Sequence, residues 1–165
     1  MGLKELLKDF LEGAAKLAIL GVGSTLRGDD AAGMAAADIL LERYGAMENI
    51  RVYHGETAPE NYSGSIRRFA PSHLLVIDAA NLDRPVATIA PIDLNDVGGL
   101  SCCTHMLPLK VMLGYLADET GMKVLLMGIQ PKSLGFEDPL TQEAQAAVKT
   151  LCGALCEAVE GVGLV

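Results

Sequence analysis

LAILGVGSTLRGDDAAG, residues 17–33, joins an apolar run to a glycine-rich turn and two acids. LAILGV at 17–22 is a short apolar run of β-like length, which marks a candidate strand. A glycine-rich turn follows at Gly21, Gly23 and Gly28, and the acids Asp29 and Asp30 then open a segment with helical periodicity. Strand, tight turn and helix in that order form the opening unit of an α/β sheet.

The rest of the chain repeats the alternation. Further strands are expected at IRVYHG (50–55), HLLVIDA (73–79), ATIAPID (87–93) and KVLLMGI (123–129), with helices over roughly 3–14, 30–45, 59–69, 106–120 and 141–160. The 165 residues and 50% hydrophobic content suffice for one ordinary domain with a sizeable core. Residues 17–165 are expected to form that domain, and residues 1–16 an N-terminal extension. In the extension Leu3, Leu6, Leu7, Phe10 and Leu11 share one stripe of an amphipathic helix, which is expected to pack on its own domain.

Composition excludes several functions. With 13 basic against 21 acidic residues and a net charge of -8, the chain lacks the clustered Lys and Arg that phosphate contacts need, so no nucleic-acid partner is expected. LAILGV falls well short of the roughly 18 to 20 residues that span a bilayer, so no membrane insertion is expected and a soluble, cytoplasmic protein is. Cys102 and Cys103 are adjacent, and Cys152 and Cys156 lie one helical turn apart; neither spacing is that of a structural zinc site. Buried, reduced thiols are the expectation, in keeping with a reducing compartment.

The glycine-rich turn invites a dinucleotide reading, but GxGxxG fails at Leu26, and Asp29 and Asp30 stand where phosphate would approach. The helix start favours those carboxylates in their ionised form. Helix capping would account for Asp29 and leaves Asp30 without a local duty. HLLVIDA ends in a second acid, Asp78. Ligands of open α/β sheets collect beyond the C-terminal strand ends, so Asp30 and Asp78 converge if their strands are neighbours; capping of the turn into NLDRP is the alternative for Asp78. His105, in SCCTHMLPLK at 101–110, precedes a helix and is of the residue type that ligates nickel or zinc. His54 and His73 lie within strands and are expected to be satisfied and partly buried. Two carboxylates and a histidine from separate strand ends make a plausible open metal site. No GxSxG surrounds Ser101, Cys102 or Cys103 to form a nucleophile elbow.

Five segments in order, GVGSTLRGDDAAG, GETAPEN (55–61), LLVIDA (74–79), THMLPL (104–109) and GIQPKSLGFEDPLTQEAQAAV (128–148), resemble the hydrogenase maturation endopeptidases, particularly those of the formate-hydrogenlyase type. The likeness spans residues 18–160. It implies a three-layer α/β fold, with a twisted central sheet of about five strands and helices on both faces. It also implies a metal site at Asp30, Asp78 and His105, with Asp30 and Asp78 the candidates for catalytic acid–base work. The implied activity is removal of a C-terminal extension from the precursor of a nickel-iron hydrogenase large subunit, recognised through nickel that the substrate supplies. The isolated site would suit other divalent ions too.

Two features depart from the family pattern: Glu56 stands where the related turn has glycine, and a helix precedes the first strand. The same ligands would also serve a chaperone that checks nickel without cleaving. A nucleotide-binding domain is the remaining alternative, disfavoured by the two acids.

Overall fold

The computed structural model describes residues 1–95 and 106–165. In chain order its elements are α1 (Leu3–Leu11), β1 (Leu17–Val22), α2 (Ala32–Tyr44), β2 (Ile50–Glu56), α3 (Ser63–Phe69), β3 (His73–Ala79), β4 (Ile89–Ile92), α4 (Met106–Thr120), β5 (Lys123–Ile129) and α5 (Gln142–Gly161). Short 3-10 turns, Gly28–Ala31 and Pro59–Tyr62, lead into α2 and α3. The expected α/β fold is present: a five-stranded mixed sheet in the order β2-β1-β3-β5-β4, parallel except for β4, which runs antiparallel to β5.

Alternation along the strands divides the core into two layers. Leu17, Ile19, Leu75, Ile77, Met127 and Ile129 point to one face, where they meet α2 and α5. Ala18, Leu20, Leu74, Val76 and Leu126 point to the other and meet α3 and α4. Strands covered on both faces need apolar residues at every position, and β1 and β3 are buried throughout. Leu7 and Leu11 of α1 are fully buried in the first layer beside α5, so the N-terminal helix shares this core. No helix among the described residues is long and apolar enough to cross a membrane.

Some expected boundaries shift. The helix placed at 3–14 stops at Leu11, and those placed at 30–45 and 59–69 each begin as a 3-10 turn. The strand placed at 87–93 shortens to Ile89–Ile92 at the sheet edge. Pro91 lies within it, a residue that edge strands tolerate. Cys152 is buried and Cys156 half-buried, both as free thiols, while Cys102 and Cys103 lie outside the described residues.

Candidate functional site

The strand order places β1 between β2 and β3, so the chain leaves β1 toward one side of the sheet and returns as β3 on the other. Such a reversal opens a crevice at the C-terminal strand ends. Both predicted carboxylates are there. β1 and β3 pair in parallel with Gly21 opposite Ile77, so Asp78, the penultimate residue of β3, lies beside the turn that carries Asp30. Asp30 is only 7% exposed and Asp78 fully buried.

Backbone contacts seat the turn. Gly23 has φ +133°, and a β-carbon on it would lie 1.8 Å from the Asp30 carbonyl oxygen, so glycine is required twice over. The Ser24 amide donates to Asp30 Oδ2 at 2.8 Å, and the Asp30 amide to the Arg27 carbonyl at 3.0 Å. Asp30 therefore has a local anchor that its sequence context did not reveal. α2 rests directly on the backbone of β1 and β3 at Gly33. The glycines that suggested a phosphate cradle thus bring helix, turn and strands together.

Asp78 is the most perturbed acid of the site. Burial pushes its pKa well above the ordinary carboxylate range, the nearby Asp30 charge adds to this, and the Ala79 amide exerts a smaller opposing pull. Among the described residues neither Asp78 oxygen has a hydrogen-bond partner of ordinary geometry. A buried carboxylate in that condition is costly unless a proton or a cation joins it.

Asp29 departs from expectation. It does not cap α2, whose N-cap is Ala31. Instead its fully buried carboxylate accepts from the Lys132 and Ser133 amides at 2.8 and 3.3 Å, and from the Thr141 amide and hydroxyl at 2.8 and 2.9 Å. Burial alone would raise its pKa, but these four bonds outweigh it and hold the carboxyl below its usual value. Main-chain bonds run alongside: Asp29 donates to the Ser133 carbonyl, Gly28 to that of Asp138, and Glu137 to that of Leu26. Residues 131–141, part of the last of the five family-like segments, thus form a loop clamped to the turn that bears Asp30. Gln130, just before that loop, accepts from the Leu82 amide at 2.6 Å and buttresses the chain leaving Asp78.

The other histidines stay away from the site. His54 pairs with Asp38 at 2.7 Å. His73 is buried at the opposite end of β3, with Nδ1 against Ser72 Oγ and the Phe10 ring edge-on. Its Nε2 has no hydrogen-bond partner of ordinary geometry among the described residues, with the Phe10 backbone nearby. His105 lies outside the described residues. Within them no group of three metal-ligating side chains gathers at one point, and the Asp30–Asp78 pair is what the structure brings together.

The hydrogenase maturation protease family profile matches residues 34–158. A Methanocaldococcus jannaschii protein named as a hydrogenase maturation protease is 30% identical over 168 residues, which cover 98% of this chain and 99% of that one. The hydrogenase 3 maturation protease of Escherichia coli K12 is 36% identical over 148 residues, covering 88% of this chain and 91% of that one. Among solved structures, the NiFe hydrogenase maturation protease HycI of Thermococcus kodakarensis superposes with a TM-score of 0.85 at 27% identity, over 94% of this chain and 99% of that one.

Proposed function

The chain belongs to the hydrogenase maturation protease family and is an endopeptidase, and from that premise we propose how it selects its substrate. Its substrate is the large-subunit precursor of a nickel-iron hydrogenase, from which it removes the C-terminal extension once nickel is in place. Asp30 and Asp78, with His105 as third ligand, meet the nickel held by that precursor, so the metal itself marks the bond to be cut.

The observation that carries this reading is the condition of Asp78: fully buried at a strand end, beside a second carboxylate, and without a hydrogen-bond partner of ordinary geometry among the described residues. Hydrogen bonds would already occupy a purely structural buried aspartate, as they do Asp29. A divalent cation arriving with the substrate offsets the repulsion between the two acids and satisfies both. Recognition by ligation makes cleavage follow nickel loading, with little need to read a long stretch of side chains. Membership of a protease family favours this reading over the non-cleaving chaperone, and the two acids at the turn weigh against a nucleotide.

The test uses nickel-loaded precursor and intact-mass detection of the released tail, comparing wild type with Asp30→Asn, Asp78→Asn and His105→Ala. Each variant is expected to lose at least about a hundredfold in cleavage rate, the scale of removing a directly acting group. Full activity in Asp30→Asn or in Asp78→Asn would overturn the assignment, and full activity in His105→Ala would remove the third ligand.

A further inference from the structure

We propose that Asp29 is the positioning residue of this site: through the loop at 131–141 it fixes the turn on which Asp30 is presented to Asp78. The inference rests on the reading of Asp30 and Asp78 as the groups that meet the substrate's metal.

Asp29 and Asp30 are consecutive in a single 3-10 turn, Gly28–Ala31, yet their carboxylates have different surroundings. Asp30 accepts from Ser24 on the side of the glycine-rich turn. Asp29 accepts four donors from Lys132, Ser133 and Thr141 on the side of the loop, so its oxygens are taken up by protein and not offered to a cation. The turn is therefore pinned on both sides. A metal-meeting carboxylate must be held within about half an ångström of its productive place, and groups behind such ligands hold that place. A four-residue turn released on one flank can rotate about the other and carry Asp30 away from Asp78.

Thr141 extends the link. Its hydroxyl donates to Asp29 and accepts from the Ala144 amide at the start of α5, which ties the turn to the longest helix of the fold. Asparagine at position 29 cannot reproduce the arrangement. Donors face both carboxylate oxygens, and the amide NH2 would confront one of them.

The experiment measures kcat and KM for cleavage of nickel-loaded precursor, with a thermal melt of each protein, for wild type, Asp29→Asn, Thr141→Ser and Thr141→Val. Asp29→Asn is expected to lose about 10- to 100-fold in kcat with little change in KM, the range found when groups behind a metal ligand are altered. Thr141→Ser keeps the hydroxyl and is expected at wild-type kcat; Thr141→Val is expected several-fold lower. A merely structural role would lower the melting temperature and leave kcat unchanged below it. Wild-type kcat in a folded Asp29→Asn, or a loss confined to KM, overturns the proposal. If Asp29→Asn does not fold, the Thr141 pair decides, and equal kcat for Ser and Val overturns it. Asp30→Asn separates the two layers: full activity there sinks the site reading itself, whereas an inactive Asp30→Asn beside an active Asp29→Asn sinks only this inference.

Discussion

A β-carbon on Gly33 would stand 2.3 Å from the carbonyl oxygen of Ile77, so α2 lies on β3 with only backbone between them. That contact sets the height of the preceding turn above the sheet and brings Asp30 to the end of the strand that bears Asp78.

Gly33→Ala should therefore act as overpacking, because the obstructing atoms are main-chain oxygens of β1 and β3 that cannot swing aside. Such insertions cost about 1–3 kcal/mol. Denaturant titration should show a loss of that size, accompanied by a drop in cleavage larger than the unfolded fraction explains. Unchanged stability would mean that α2 is seated elsewhere.

Asp78→Asn should lose cleavage and gain stability. The raised pKa of Asp78 means that the folded protein holds its proton more tightly than the unfolded chain does. Its favourable contribution is complete below the ordinary aspartate value of about 3.9 and disappears as pH rises through the higher folded value. The variant, which cannot ionise at this position, should gain on wild type over that window and keep the advantage above it. Melting both proteins across pH 4 to 9, without nickel, checks the sign. A stability difference that does not vary with pH would contradict it.

Glu56 occupies the left-handed region at φ +49°, and its carbonyl accepts from the Gly23 amide beside the site. The backbone at this position is therefore of the kind that glycine adopts most readily. Left-handed geometry costs a residue with a β-carbon about 1–2 kcal/mol, and glycine gives back roughly 0.5–1 kcal/mol in chain entropy. Glu56→Gly should raise the melting temperature by a few degrees at most, and Glu56→Val should lower it. The reverse order would show that the side chain at 56 stabilises the turn through contacts of its own.

Much of this architecture was legible in the sequence, for an identifiable reason. β1 and β3 match their expected limits because strands buried on both faces are mainly apolar runs bounded by turn residues, and β5, buried over its last four residues, matches as well. The convergence of Asp30 and Asp78 followed from strand-end placement once β1 and β3 proved to be neighbours. Asp29 was misread because its partners lie 103 to 112 residues away, where a local pattern cannot point. Gln130 escaped notice similarly, since its value lies in a bond to Leu82, 48 residues earlier.

Leu7 tests whether the N-terminal helix belongs to the core. It is fully buried among residues of α5, so Leu7→Ala should cost about 2–5 kcal/mol in a single cooperative transition. A loss below about 0.5 kcal/mol, the size of an ordinary surface substitution, would place α1 outside the cooperative unit.

If the carboxylate pair recognises the substrate's nickel, cleavage must depend on that metal. One precursor preparation, divided into nickel-loaded and nickel-free halves, is incubated with the wild-type protein, and the released tail is followed by intact mass. Release is expected from the loaded half and essentially none from the other, with cleavage restored when nickel is returned to the precursor. Equal cleavage of both halves would contradict recognition through nickel.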